Sequence, residues 1–274
     1  MFNEMLENVR MAHPLVHCIT NYVTVNDCAN ILLACGASPI MSDDAGEVEE
    51  ITSICSALDI NIGTLNQNTI PAMFLAGKRS NALGHPVILD PVGAGASKLR
   101  TETAQKLLDE VRFTTIRGNI SEIITLAKGK GTTKGVDADV SDAVTDETLD
   151  NTVAFAKAFS KKTGAVIAIT GAIDIVADEK TAYIIRNGNP MMANITGSGC
   201  MLTAMTAAYL AANPDKVLEA TTAAVCAMGL CGELAFDRLK KDCGGNSTYR
   251  SYLIDEVYNL DGEVLMKGAK YEIK

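Results

Sequence analysis

A glycine-rich stretch, ITGSGC at residues 195–200, directly precedes an apolar run, MLTAM at residues 201–205. Two glycines allow the backbone to turn sharply, and the residues that follow favour a helix. The N–H groups of a helix's first turn have no internal partner and lie at the positive end of the helix dipole. The stretch therefore predicts an anion-binding site suited to a phosphate. Its donors are the backbone groups of Gly197, Ser198, Gly199 and Cys200.

The role of Cys200 is open from the local sequence, which allows a nucleophile, a buried thiol or a substitute for another residue. A free thiol has a pKa of about 8.5, which a helix N-terminus lowers, so some thiolate near neutral pH is expected. A nucleotide nearby would oppose that effect. Covalent catalysis is disfavoured because His13, His17 and His85 do not occupy partner positions at predicted strand ends.

Polar residues also follow several apolar, strand-like runs. Asp90 ends the run VILD, and Asn119 and Glu122 form an N-x-x-E pattern after another run. Two such carboxylates could hold Mg²⁺ through water, although a turn aspartate and a helix-capping pair remain alternatives. Arg117 could grip phosphate oxygens or form a surface salt bridge, and Thr170 could hydrogen-bond a nucleotide phosphate.

Short β-rich runs alternate with segments of helical length and composition. This alternation predicts an α/β fold with a mainly parallel central sheet and helices on both faces. In such sheets ligands bind at the carboxyl ends of the strands, so the polar strand ends should share one edge. The predicted strands are LVHCIT, SPIM, INIGT, PVILDPV, TTIRGN, VIAIT and AYIIRN.

Helices are predicted at the start of the chain and throughout its last third. The first residues, MFNEMLENVRMAHPLV, have an amphipathic pattern that differs from a secretory signal. The last third predicts three helices in series, from Gly199 to about residue 209, from Lys216 to about residue 240, and from Tyr249 to about residue 260.

The 274 residues, 47% of them hydrophobic, suit one domain over residues 1–274. A net charge of −9 disfavours nucleic-acid and anionic-membrane partners. Without an apolar run that could span a membrane, a cytoplasmic protein is expected, and its eight scattered cysteines suit reduced, mostly buried thiols. The lysine- and glycine-rich segment 128–142 predicts an exposed loop, with a mobile flap over a nucleotide as the alternative.

Six ordered blocks resemble the hydroxyethylthiazole kinase family of thiamine salvage, within the ribokinase-like kinases. The blocks are TNYVTVNDCAN (20–30), GASPIMSDD (36–44), NIGTLN (61–66), DPVGAGA (90–96), IRGNISEI (116–123) and ITGSGC (195–200). The resemblance implies transfer of the ATP γ-phosphate to the primary alcohol of 4-methyl-5-(2-hydroxyethyl)thiazole, with Mg²⁺. A pyrimidine or pyridoxal kinase and a noncatalytic ligand-binding protein are the alternatives. The family often has threonine at the position of Ser198, a difference that we expect to matter little.

The resemblance also implies roles for individual residues. Asn21, Met41 and Gly197 would contact the thiazole, Arg117 and Thr170 the ATP phosphates, and Asp90 and Glu122 would organise Mg²⁺ and its waters. A homotrimer with active sites between neighbouring subunits is implied as well. Cys200 stands where most ribokinase-like enzymes have an aspartate base. Because phosphoryl transfer depends mainly on alignment and charge stabilisation, we expect Cys200 to act as a modest base or orienting group near the substrate hydroxyl.

Overall fold

The computed structural model describes residues 1–128 and 143–274, and these residues form one nine-stranded sheet with helices on both faces. The strand order is β2-β1-β3-β4-β5-β6-β7-β8-β9; the pairs from β2 to β6 are parallel and those from β6 to β9 antiparallel. The strands are β1 Leu15–Ile19, β2 Ser38–Met41, β3 Ala57–Asn61, β4 Val87–Asp90, β5 Thr115–Gly118, β6 Val166–Ile169, β7 Asp174–Ala177, β8 Ala182–Ile185 and β9 Tyr271–Ile273.

The helices pack against this sheet in two layers, each over its own buried apolar cluster. One layer contains α1, α2, α8, α9, α10 and α11, and the other contains α3 to α7. The helices are α1 Phe2–Ala12, α2 Val25–Cys35, α3 Val48–Ile54, α4 Thr69–Leu83, α5 Lys98–Glu110, α6 Ile120–Lys128, α7 Leu149–Thr163, α8 Ser198–Ala212, α9 Val217–Asp242, α10 Asn246–Asn259 and α11 Gly262–Gly268.

The predicted α/β architecture, the amphipathic first helix and the three helices of the last third are confirmed. Several details differ from the sequence-based expectation. Strand β3 begins and ends earlier than the run INIGT, the short strands β7 and β9 were not predicted, and neither was the short helix α11. The predicted loop at 128–142 falls, from residue 129 onward, outside the described residues.

The parallel part of the sheet brings the carboxyl ends of β1 to β6 to one edge because every one of these strands runs in the same direction. The chain leaves this edge through polar loops, and the short turn between β6 and β7 starts there too. Helix α8 begins after Gly197 and packs against β1, β3 and β4. The edge and the start of α8 therefore enclose the space in which a ligand can bind.

Helix α9 is long and apolar enough to cross a membrane by length and composition, but 78% of its most apolar window is buried within the protein. It packs between α8, α10 and the antiparallel end of the sheet. Such burial is typical of a central helix in a packed core.

Candidate active site

A cleft of about 1020 Å³ opens at the carboxyl edge of the central strands. Most of the residues singled out from the sequence line this cleft, although they come from distant parts of the chain. They are Asn21, Asp90, Arg117, Glu122, Thr170, Gly197, Ser198, Gly199 and Cys200. The predicted convergence of polar strand ends on one edge is therefore confirmed.

The glycine-rich turn opens helix α8 at the floor of the cleft. Gly197 has a φ of 88°, a conformation that favours glycine, and a Cβ at this position would lie 2.6 Å from Cγ2 of Thr24. A Cβ on Gly199 would lie 2.5 Å from Nη1 of Arg117. The first glycine is thus required by backbone geometry, and the second allows a guanidinium group to rest against the start of the helix.

Arg117 extends from β5 into the cleft and is held between two partners. Its Nη2 donates to Oγ1 of Thr170 at 2.5 Å, and its Nη1 lies 3.7 Å from Oδ2 of Asp90. The side chain is only 14% exposed, and its Nε has no partner. A positive charge therefore faces the N–H groups at the start of α8, which makes this end of the cleft suited to phosphate oxygens.

Asp90 is fully buried at the end of β4, and its two carboxylate oxygens differ in their surroundings. Oδ2 accepts from Nδ2 of Asn61 and Oγ1 of Thr203, both at 2.9 Å, while Oδ1 has no partner. Burial raises the pKa of Asp90, although the Arg117 charge and the bonds from Thr203 and Asn61 oppose this. The unpartnered oxygen can accept a hydrogen bond from a donor group or from a water bound to a cation.

Glu122 sits in the first turn of α6 and forms the capping pair that the N-x-x-E pattern allowed. Its Oε2 accepts from the Asn119 N–H, and Oδ1 of Asn119 accepts from the Glu122 N–H, both at 2.9 Å. The other carboxylate oxygen accepts from the Gly93 N–H at 2.8 Å. Burial, and next the charge of Asp90, raise the pKa of Glu122 to about 7. The residue is therefore a helix cap and also part of the cleft wall.

These two carboxyl groups fit a hydrated Mg²⁺ better than a fully coordinated metal. Among the described residues, no group of three or more His, Cys, Asp or Glu side chains could hold a metal ion. Magnesium keeps several waters and is commonly held by one or two carboxylates together with substrate phosphates. The unpartnered Oδ1 of Asp90, opposite an anion-binding turn, suits that mode of binding.

Cys200 lies in the first turn of α8, and its Sγ accepts from Nδ2 of Asn21 at 3.2 Å. Burial, and next the charge of Asp90, raise the pKa of its thiol to about 11, against the hydrogen bonds from Thr24, Asn61 and Asn21. The expected partial thiolate near neutral pH is therefore wrong. Loss of solvent and a neighbouring carboxyl outweigh the helix N-terminus.

The two predicted thiazole contacts outside α8 are placed differently. Asn21 lines the cleft, but its amide is already engaged: Oδ1 accepts from the N–H and Oγ1 of Thr24, both at 3.1 Å, and Nδ2 donates to Asn61 and Cys200. Met41 instead lines a second cavity of about 210 Å³. A single chain therefore does not bring Met41 into the main cleft.

Sequence reasoning missed three buried polar residues of this region. Asn61 lay inside the predicted strand INIGT, and Thr203 lay in an apolar helical run, so neither was a strand-end candidate. Asp174 lines the cleft and accepts from the Gly171 N–H at 2.8 Å; burial raises its pKa to about 7. The period of the helix could have identified Thr203, which lies one turn after Gly199 on the face toward the sheet.

The mainly parallel sheet, the cleft at its carboxyl edge and the glycine turn that opens α8 define a ribokinase-like fold. A ribokinase-like superfamily protein from Enterococcus faecalis has this fold, with a TM-score of 0.64 over 95% of both chains at 13% identity. An ADP complex of Bacillus subtilis pyridoxal kinase has it as well, with a TM-score of 0.57 over 80% of this chain and 91% of that one at 18% identity.

Among proteins with this fold, the chain belongs to the hydroxyethylthiazole kinase family, whose family model matches residues 6–263. It is 72% identical to a hydroxyethylthiazole kinase from Clostridium acetobutylicum over 99% of both chains. It is 50% identical to one from Desulfovibrio desulfuricans, over 98% of this chain and 97% of the relative. The structure of a Pyrococcus horikoshii hydroxyethylthiazole kinase superposes with a TM-score of 0.88 over 100% of this chain and 98% of that one, at 33% identity.

Proposed function

We propose that this chain transfers the γ-phosphate of ATP to the primary alcohol of 4-methyl-5-(2-hydroxyethyl)thiazole in thiamine salvage. The observation that carries the proposal is the full-length similarity, at 72% identity, to a relative named hydroxyethylthiazole kinase. The cleft supports it because an anion-binding turn, a guanidinium group and a buried carboxyl line the same space. These are the groups that phosphoryl transfer needs.

The ATP phosphates bind, in this proposal, between Arg117, Thr170 and the start of α8. The contact between Arg117 and Thr170 holds the guanidinium group in place before the nucleotide arrives. The N–H groups of residues 197–200 then stabilise the charge on the transferring phosphoryl group. Donors that are fixed in advance cost no reorganisation in the transition state, which is how such groups lower a barrier.

Asp90 and Glu122 would hold Mg²⁺ through its waters. The cation would neutralise charge on the phosphate oxygens. The unpartnered Oδ1 of Asp90 supports its part in this role, whereas both oxygens of Glu122 already accept backbone N–H bonds. Asp90 is therefore the stronger ligand, and Glu122 acts through its charge and through the loop that it caps.

The alcohol is proposed to lie beside Cys200 and Gly197, with Asn21 and Met41 completing the thiazole site. With its pKa raised to about 11, Cys200 stays protonated near neutral pH and orients the alcohol instead of removing its proton. A loose phosphoryl-transfer transition state has little need for early proton removal. Alignment by the thiol is then sufficient.

We further propose a cytoplasmic homotrimer in which each chain acts as one kinase domain with an active site shared between subunits. The single sheet from β2 to β9 supports the one-domain assignment. The position of Met41 in a second cavity supports a site that a neighbouring subunit completes.

An assay of ATP consumption tests the proposed function. Hydroxyethylthiazole, hydroxymethylpyrimidine and pyridoxal are offered as separate substrates, with and without Mg²⁺, and the phosphorylated product is identified by mass. We expect Mg²⁺-dependent turnover of the thiazole and loss of turnover in Asp90→Ala. Activity on the pyrimidine or pyridoxal alone would overturn the substrate assignment, and ligand binding without ATP consumption would indicate a noncatalytic protein.

A further inference from the structure

A buried chain of hydrogen bonds joins the two halves of the cleft. Thr203 and Asn61 both donate to Oδ2 of Asp90 at 2.9 Å. Oδ1 of Asn61 accepts from Nδ2 of Asn21 at 3.1 Å, and the same Nδ2 donates to Sγ of Cys200 at 3.2 Å. Within this set of bonds, Asn61 therefore links the Asp90 carboxyl to the Asn21 amide, which in turn contacts the Cys200 thiol.

The orientation of both amides follows from neighbours that can only donate. The Gly63 N–H donates to Asn61 at 2.9 Å, so the Asn61 atom that faces it is oxygen and Nδ2 faces Asp90. The Thr24 N–H donates to Asn21 at 3.1 Å, so Nδ2 of Asn21 faces Asn61 and Cys200. Backbone groups thus determine the direction of the whole chain of bonds.

Asn61 is not among the residues that line the main cleft, so it acts there through its neighbours, while its side chain borders the second cavity that Met41 also lines. Asn61 is 1% exposed and lies at the end of β3. Two residues later, Gly63 packs so closely that a Cβ there would lie 2.9 Å from Cβ of Asn21. Hydrogen bonds in such a dry environment orient their partners strongly. With Asn61 and Thr203 both bound to Oδ2, the other oxygen of Asp90 is left unpartnered.

We propose that Asn61 is a positioning residue for phosphoryl transfer. Its side-chain Nδ2 fixes the Asp90 carboxyl, and its side-chain Oδ1 fixes the Asn21 amide against Cys200. The proposal rests on the proposed function for its kinetic consequences. Its structural content, the link from Asp90 to Cys200, can be tested without any turnover.

Two substitutions separate the two sides of the Asn61 amide. Asn61→Asp has the same shape and still accepts from Asn21 and Gly63, but it places a carboxyl against Asp90. Asn61→Ala removes both sides at once. Thr221→Val is the matched control, because Thr221 is a buried hydroxyl paired with Thr115 at 3.2 Å outside the residues that line the cleft.

Steady-state kinetics give the first readout. For Asn61→Asp we expect kcat to fall at least about 30-fold with the KM for the thiazole within about threefold of wild type, because the alcohol side is retained. For Asn61→Ala we expect a similar fall in kcat and a rise in thiazole KM of at least about fivefold. Thr221→Val should have wild-type values of both constants. A kcat for Asn61→Asp within threefold of wild type would overturn the proposal.

Thiol modification gives the second readout, with methyl methanethiosulfonate and a Cys243→Ser background that removes the exposed cysteine. Mass spectrometry follows modification of Cys200. We expect Asn61→Ala to react at least about fivefold faster, because the smaller side chain lets the Asn21 amide move off the thiol and opens the thiol to the reagent. Asn61→Asp should react as the background does, because its side chain fills the same space and still holds the Asn21 amide.

If wild type phosphorylates none of the alcohols, the proposed function fails. The rates of Cys200 modification in the variants still test whether Asn61 holds the Asn21 amide against the thiol. Thermal unfolding checks each variant. Should Asn61→Asp not fold, Asn61→Ala decides alone, and wild-type thiol reactivity in that variant would overturn the proposal.

Discussion

The Cys200 thiol lies beside Asp90 and under the Asn21 amide, in surroundings that favour its protonated form. We predict that Cys200→Ala lowers kcat about 10-fold, whereas Asp90→Ala lowers it about 1000-fold. The first change removes the proposed orienting contact to the alcohol, and the second removes the charge of the proposed cation site. Steady-state kinetics on folded variants measure the difference.

A pH profile provides the control for this prediction. Since the Cys200 pKa is raised to about 11, wild type and Cys200→Ser should have the same dependence of kcat on pH between about 6 and 9. A rise in activity with pH that wild type has and the serine variant lacks would show that the thiolate acts as a base.

Asp59 is a second buried carboxyl whose effect is on stability. It is fully buried in β3, and burial followed by the charge of Asp90 raises its pKa well above the usual value, against a contact with the Cys18 thiol. A folded-state pKa above the unfolded one means that the native state holds the proton more tightly. Its contribution to stability is therefore present below about pH 4 and is lost as pH rises toward the folded pKa.

We predict that Asp59→Asn removes this pH dependence. Glu122 and Asp174, with pKa values raised to about 7, contribute in both proteins mainly between about pH 4 and 7. Between the unfolded pKa of about 4 and the raised folded pKa, wild type should lose up to about 1.4 kcal/mol of unfolding free energy per pH unit relative to the variant. Urea unfolding of both proteins in steps upward from about pH 4 measures this, and parallel curves from the first step onward would contradict the prediction.

At the level of elements, Gly199 in the first turn of helix α8 lowers the stability of the helix but leaves space for the Arg117 guanidinium group. Gly199 is helical and its φ is not positive, so alanine should favour the helix by about 1 kcal/mol. A Cβ there would, however, lie 2.5 Å from Nη1 and 2.9 Å from Nη2 of Arg117. We predict that Gly199→Ala keeps or raises the melting temperature while kcat/KM for ATP falls about 100-fold.

Calorimetry and ATP kinetics on the same preparation check the Gly199→Ala prediction. The matched control is Gly84→Ala, because Gly84 has a φ of 73° and open space around its Cβ position. That change strains the backbone away from the cleft, so it should lower the melting temperature and leave the ATP constants unchanged. Unchanged ATP constants in Gly199→Ala would mean that the guanidinium group moves aside at no cost.

The sequence predicted elements well where the hydrophobic pattern was long or sharply bounded. Helices α8 and α9 follow long apolar patterns, α10 has apolar residues every fourth position at Tyr249, Leu253 and Val257, and β4 ends sharply at Asp90. Strand β7, DIVA, is four residues long and pairs antiparallel next to β6, so it resembled part of a loop. Strand β9, YEI, has three exposed residues, and its pairing with β8 depends on where the chain arrives in three dimensions.

The site was predictable in outline because parallel strands bring their ends together. Asp90, Arg117 and Thr170 stand at or just after such ends. The sequence did not predict how deeply each of these side chains is buried or which charged groups lie beside it. The expected lowering of the Cys200 pKa weighed the helix against a bound nucleotide, whereas burial and the charge of Asp90 come from tertiary packing. Asn61 was missed for the same reason, since its partners lie far away in the sequence.

At the scale of the whole molecule, an apolar surface lies next to the cleft. Tyr22 is 78% exposed and borders the second cavity, and Val23 is 57% exposed and borders the main cleft. A partner subunit would cover such side chains. We predict that the double variant Tyr22→Glu/Val23→Glu is monomeric while wild type is trimeric by light scattering, and that its kcat/KM for the thiazole falls at least about 10-fold.

The matched control for the oligomer is Met11→Glu, because Met11 is 71% exposed on the first helix and lies outside both cavities. This variant should keep the wild-type mass and activity. A monomeric wild type, or a double variant that stays trimeric with full activity, would contradict the shared site.

The anion-binding turn has a consequence for the response to ionic strength. A protein with a net charge of −9 repels a nucleotide at long range, and salt screens that repulsion beyond about 8 Å at physiological strength. In the proposed site the phosphates bind to backbone N–H groups and one guanidinium group, whose contacts act at short range. Moderate salt should therefore speed ATP association without loosening the bound state, the opposite of a lysine-lined phosphate site. Stopped-flow measurement between about 20 and about 150 mM salt, over which the Debye length falls from about 20 Å to about 8 Å, would show a rising on-rate.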